Sequence, residues 1–208
     1  MRSRSSSDAS VSAPGARGRI LAAAARNFLA RGFRSVTMDE LAGELAMSKK
    51  TLYAHFRGKQ AMLEAMLREK LRAAEADLAE ITRAANVEFA GVLRQLLACA
   101  QRHLSEVRPA FLRDVQRECP ELFQVVETRR REMVQRYLGK VLARGRRQGL
   151  VRRDVPLHLM MEILLAALEG IVNPPRLLEL GLTPERGATA VLTVMLGGLL
   201  AREKSGAR

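Results

Sequence analysis

Residues Thr37–Phe56 read TMDELAGELAMSKKTLYAHF, and this stretch decides the fold. Thr37 and Glu40 stand at capping-box spacing. The threonine hydroxyl can accept the third helical amide while the glutamate reaches back to the cap. Met38, Leu41, Ala42 and Leu45 then recur at helical spacing, so a short amphipathic helix starts after Thr37. Ser48 is the next N-cap, opening a second short helix through Phe56. Only about three residues separate the two, and helices joined that tightly cross steeply, as in a helix-turn-helix. Leu52 and Phe56 share one face and anchor the second helix. Ser48, Lys49, Lys50, Thr51, Tyr53 and His55 are left on or near the outward side.

Upstream, Ile20, Leu21, Ala24, Ala25, Phe28 and Leu29 form one apolar helical face. That helix stops at Gly32, with Phe33 folded back over its last turn. Three short helices thus occupy about forty residues. From Arg19 to Lys59 there are eight basic residues against three acidic ones. A helix exposing amines, hydroxyls and a phenol suits the DNA major groove, where lysine donates to guanine and hydroxyls reach bases or phosphates.

Downstream, a long helix is expected from Lys59 to about Arg83, then helices at about 87–106, 109–117, 120–148, from Pro156 to about Asn173, and from Pro184 to Arg202. Pro174 and Pro175 stop or kink the fifth of these. No strand alternation or internal repeat is present, so the fold class is all-α. The final two helices are apolar on nearly every side: Leu159, Ile163, Leu164 and Leu168 in one, Val191, Val194 and Leu199 in the other. A helix greasy all round must be buried all round. One side is expected to pack on its own domain and the other on a second copy, with Gly197 and Gly198 allowing close approach; the alternative is the core of a monomer.

The chain of 208 residues carries a net charge of +13 and a pI near 11.0. Such a field favours polyanionic partners. Two readings compete on charge: a sequence-specific DNA binder, and a non-specific nucleic-acid-binding or membrane-surface protein. Cys99 and Cys119 make no disulfide framework and no metal-ligand spacing. No metal and no cofactor is expected. No phosphate loop, HExxH or nucleophile elbow is present, and His55, His103 and His158 are far apart, so no enzyme is expected. The Ser- and Arg-containing start is neither a signal peptide nor an anchor, and the most apolar segment is too short to span a bilayer. A cytoplasmic protein without membrane partners follows.

The run from Arg19 to Leu63 resembles the N-terminal domain of TetR-type (tetracycline-repressor-like) bacterial transcriptional regulators. Ile20, Ala23, Ala24, Phe28, Gly32, Thr37, Leu41, Ala42, Ser48, Lys49, Thr51, Leu52, Tyr53, Phe56 and Lys59 carry the resemblance. It implies about nine helices. A disordered basic tail (1–17) precedes a helix-turn-helix DNA-binding domain (18–58), a ligand-binding and dimerisation domain (59–203) and a flexible end (204–208). It implies that Thr37, Tyr53 and Lys59 contact phosphate, that Ser48, Lys49, Lys50 and Thr51 face the groove, and that His55 lies near the backbone or bases. It also implies a homodimer through the last two helices, a double-stranded palindromic operator, repression, and release by a small-molecule effector transmitted through the fourth helix. Candidate linings of the effector pocket are Phe89, Leu93, Leu97, Phe111, Met133 and Tyr137, with His103 and Arg113 as polar anchors. Ala46 stands where the family's turn usually has Gly, a substitution expected to be tolerated if that residue avoids positive φ.

Overall fold

The computed structural model describes residues 15–83 and 88–199. These form ten helices: α1 (Ala16–Arg31), α2 (Met38–Glu44), α3 (Lys49–His55), α4 (Lys59–Arg83), α5 (Phe89–Leu104), α6 (Pro109–Glu118), α7 (Pro120–Arg147), α8 (Leu157–Ile171), α9 (Pro174–Glu179) and α10 (Pro184–Leu199). The expected all-α class is observed. Most of the expected basic tail, the continuation of the last helix to Arg202 and residues 204–208 lie outside the described residues. Ala16 and Arg17, expected in the tail, already belong to α1.

The count differs from nine because of α9. Pro174 and Pro175 do end α8, but they also open a new helix. Pro lacks the amide that a first helical turn leaves unpaired, and the Asn173 side chain caps the turn by accepting the Arg176 amide at 3.0 Å.

The helix-turn-helix follows from its caps. Thr37 Oγ1 accepts the Glu40 amide at 3.2 Å, and Glu40 Oε2 accepts the Thr37 amide at 2.8 Å, so the capping box is complete. Ser48 Oγ accepts the Thr51 amide at 3.0 Å and starts α3. Between them, the Met47 amide donates to the Ala42 carbonyl and the Ala46 amide to the Gly43 carbonyl. This is the Schellman arrangement, which needs a left-handed residue after the cap. Ala46 supplies it at φ +50. The condition under which Ala46 is expected to be tolerated is therefore not met: the steep α2–α3 turn requires the left-handed conformation whatever residue occupies it.

Two apolar cores organise the rest. The first joins α1–α3 through Ile20, Phe28, Leu41, Leu52 and Phe56, and continues unbroken through Met62, Leu63 and Met66 of α4 into Phe111 and Val115 of α6 and Phe123 of α7. Phe28 and Phe33 pack edge to face at 5.3 Å, so the chain does fold back over the end of α1. The second core joins α5, α7, α8 and α10 through Val92, Leu138, Leu142, Met160, Leu164 and Val191. Leu159, Ile163 and Val194 stay exposed on α8 and α10. A Cβ added at Gly197 or Gly198 would meet nothing within 4 Å. Among the described residues, no helix is long and apolar enough to cross a membrane.

Candidate nucleic-acid interface and cavity

The α3 surface is built by what its buried side holds. Leu52 is fully buried and Phe56 nearly so, while Ser48, Lys49, Lys50, Thr51, Tyr53 and His55 are all exposed. Tyr53 keeps 48% of its surface, a large amphipathic ring left outside. Thr37, at the start of α2, is exposed on the neighbouring edge. The first turns of α2 and α3 adjoin, because Lys49 Nζ lies 2.6 Å from Asp39 Oδ2. That carboxylate raises the Lys49 ammonium above its usual range. Both side chains are more than half exposed, so the pair is screened and easily exchanged for another anion.

The hydroxyls of this face already have local work. Ser48 and Thr51 share a 2.8 Å hydrogen bond besides the cap, and Thr37 is committed to the capping box. Glu40, the other half of that box, is held down to about 2 by the Arg31 guanidinium, then by the Thr37 amide and hydroxyl. The Lys50 amine and the Tyr53 phenol are the freest donors on the face, since the Lys49 amine is held by Asp39.

Lys59 differs from its expected setting. Its ammonium is turned into the domain, donating to the Val36 carbonyl at 2.7 Å and sitting 4.4 Å above the Phe33 ring. Partial burial lowers its pKa below the usual lysine value. The start of α4 is thus clipped to the residue just before the α2 cap. Thr37, Ser48, Lys49, Lys50, Thr51, Tyr53 and His55 are all exposed on α2–α3, whereas the Lys59 ammonium is turned inward onto Val36 and Phe33.

A cavity of about 270 Å³ lies among α4–α8 and α10, with Leu29 of α1 in its wall. Its lining is almost wholly apolar. His103, Phe111, Met133 and Tyr137 line it, as does Leu97. Phe89, Leu93 and Arg113 do not. Phe89 packs at the far end of the bundle, its ring filling the space where a side chain on Gly145 would stand. Leu93 is buried in the second core beside it. Arg113 is exposed; two residues after Phe111, it points off the opposite side of α6.

The polar groups at the wall are paired. Lys70 meets Glu106 at 3.0 Å, Arg130 meets Glu127 at 2.5 Å, His103 meets Asp77 at 2.9 Å, and the Tyr137 hydroxyl donates to Glu75 at 3.4 Å. Sequence reasoning missed Leu29, which by spacing reads only as the anchor of α1. Its carbonyl accepts the Arg108 amide at 3.2 Å, so α1 and the start of α6 are joined at the cavity.

Residues 20–66 match the family described as bacterial regulatory proteins, tetR family. No relative among curated proteins matches the chain. Among solved structures, the chain is similar to the TetR family transcriptional regulator PfmR from Thermus thermophilus, with 25% identity, a TM-score of 0.61, and coverage of 88% of this chain and 100% of that one. It is similar to the ketosteroid transcriptional regulator KstR2 of Mycobacterium tuberculosis, with 22% identity, a TM-score of 0.59, and coverage of 89% and 95%. It also resembles Escherichia coli NemR in its reduced form, with 19% identity, a TM-score of 0.66, and coverage of 90% and 98%. The model of that family thus matches α1–α3 and the start of α4, and the helices beyond follow the fold of these solved regulators.

Proposed function

We propose that the chain is a homodimeric repressor that binds a palindromic operator and is released by a small, largely neutral apolar effector. The observation that carries this reading is the continuity of one apolar core from α3 through α1 to Phe111 of α6, whose ring also lines the cavity. Lys50 reads base edges, Lys49 and Tyr53 take phosphates once Lys49 leaves Asp39, and Thr37, Ser48, Thr51 and His55 complete the contact surface. One helix as short as α3 supplies few base contacts. Two copies about one DNA turn apart read two half-sites. The exposed Leu159, Ile163 and Val194, with the open Gly197 and Gly198, are the surface for the second copy.

The effector class follows from the wall. Every charged side chain lining the cavity has an opposite partner, so an ionic ligand would have to displace one. A cavity of about 150 Å³ lined by aliphatic side chains holds benzene, so this one suits a somewhat larger ring system or chain. A ligand favouring a different setting of α4 and α6 shifts the population away from the DNA-competent spacing.

Selection of bound duplexes from a random library at ~0.15 M salt tests the reading. A palindromic motif, bound at least ~10³-fold above random sequence, is expected. Lys50→Ala should change base preference, and Tyr53→Ala should weaken binding to every sequence. Uniform, steeply salt-dependent binding without a motif would instead favour a non-specific basic binder.

A further inference from the structure

We propose that Asp77, Cys99 and His103 form a binding site for a soft divalent cation of the zinc type. Cys99 and His103 stand four residues apart on one face of α5, and Asp77 comes from the adjacent α4. One donor atom from each lies within 4.8 Å of the others. The set is one sulfur, one imidazole nitrogen and one carboxylate oxygen, a combination suited to zinc and its neighbours.

The geometry needs the farthest donor pair, within 4.8 Å, to close by up to about an ångström. A tetrahedral ion with nitrogen and oxygen bonds of about 2.0–2.1 Å and a sulfur bond of about 2.3 Å holds its ligand atoms roughly 3.3–3.6 Å apart. His103 Nε2 and Asp77 Oδ2 are now 2.9 Å apart, sharing one proton. The cation takes that proton's place, a neutral imidazole moving its proton to Nδ1 and an imidazolium releasing it to solvent, and the pair opens by a few tenths of an ångström. Cys99 forms the sulfur–metal bond and releases its own proton to solvent.

Charge also balances. A thiolate and a carboxylate neutralise a divalent ion, and the imidazole stays neutral. The other charged group at the site is Arg102, 3.2 Å from the same Asp77 oxygen. Its side chain is 63% exposed, so it can turn to water as the ion enters. Cys99 and His103 both line the cavity, so a fourth coordination position falls on the cavity side, open to water or to a donor atom of an entering molecule. The ion would tie α5 to α4, the helix that carries Lys59 and its clip on Val36.

Cobalt(II) titration of the full-length protein, free of any histidine tag, tests this. One equivalent per chain should bring the near-ultraviolet band of a cobalt–thiolate bond and strong visible bands of tetrahedral cobalt, both erased by one equivalent of zinc. Cys99→Ser should remove the thiolate band and weaken zinc binding ~100-fold or more, since even outer-shell changes cost ~10–100-fold. Asp77→Asn and His103→Gln should each weaken it at least ~10-fold, and Cys119→Ser should change nothing. Because Cys99 is buried, the two variants at the partly exposed Asp77 and His103 keep the test open should Cys99→Ser fail to fold. Absence of a thiolate band in the wild type, or a band unaffected by the Asp77 and His103 changes, would overturn the proposal.

Discussion

Asp114 Oδ2 accepts the backbone amide of Arg34 at 2.9 Å, joining α6 to the loop that follows α1 across 80 residues of sequence. The same oxygen lies 2.7 Å from where a Cβ on Gly32 would be, and Gly32 has φ +92 and ψ 152. Only glycine adopts that backbone readily, and only glycine leaves room for the carboxylate. The junction between the DNA-binding helices and the cavity wall is therefore a fitted contact. Asp114→Ala should cost about 1–2 kcal/mol of stability and leave operator selection intact. It should also blunt the response to effector, because α6 no longer pulls on the loop before α2. Urea unfolding and effector titration of operator binding check both. A full effector response in the variant would take α6 out of the transmission path.

Lys59 offers a second test of that loop. With its ammonium on the Val36 carbonyl, the residue acts by placing the α2 cap. Lys59→Met keeps the stem but loses the bond. Affinity should fall about tenfold for operator and random duplex alike, while the slope of log affinity against log salt stays the same. A lysine that neutralises a phosphate would lower that slope by about 1, so a reduced slope would return Lys59 to the DNA contacts.

Ala46→Gly should stabilise the protein. A left-handed alanine costs about 1–2 kcal/mol, and glycine's extra unfolded-state freedom returns about 0.5–1 kcal/mol of that. A net gain of about 0.5–1 kcal/mol in urea unfolding is expected, with operator affinity unchanged. A loss of stability would mean that the Schellman turn at φ +50 does not hold α2 against α3 in solution.

The helix-turn-helix was legible because its signals are local: a capping box, a serine cap, and an apolar anchor at fixed spacing, all within twenty residues. The cavity was only partly so. Periodicity marks Phe89, Leu93, Phe111 and Met133 equally as apolar faces. It does not say that the α5 start meets Gly145 while Phe111 meets open space. Arg113 is two residues from Phe111, a separation that puts it on the opposite side of the helix. The sequence showed no metal-ligand spacing at Cys99, since one histidine four residues on, His103, is too little to mark a site. Asp77 was not visible as their partner, because only the packing of α4 on α5 brings it there.

Acid should loosen the capping box in a defined window. Glu40 is held at about 2 in the folded chain, below its ordinary 4.5, first by Arg31 and then by Thr37. A depressed carboxylate contributes stability that is fully present above about pH 4.5 and is lost as pH falls through about 2. Glu40→Gln can still reach the Thr37 amide, since glutamine serves in a capping box, so it removes charge and keeps shape. Wild type should exceed the variant in stability near neutral pH, and the gap should close between about pH 4.5 and 2. A pH-independent gap would locate the effect in packing.

The cavity itself can be read with a fluorophore, because the chain has no Trp. Leu97 lines the wall on α5, and Leu97→Trp puts a single indole there. In an apolar chamber of about 270 Å³, the indole should emit at short wavelength and resist quenching by iodide. Titration with small neutral aromatic compounds should then change its intensity saturably, while the matching aromatic carboxylates bind at least ~10-fold more weakly. The physical reason is the pairing of Lys70, His103 and Arg130 with Glu106, Asp77 and Glu127: no cation is left over to meet an entering anion, and burying one unpaired is costly. Tighter binding of the carboxylates would show that one of those pairs opens on ligand entry. Arg130 would be the first to examine, since its guanidinium grips Glu127 from only three residues away on the same helix and can turn inward without disturbing the backbone. Long-wavelength, iodide-sensitive emission would mean that the cavity is open to water, and would remove the basis for an apolar effector.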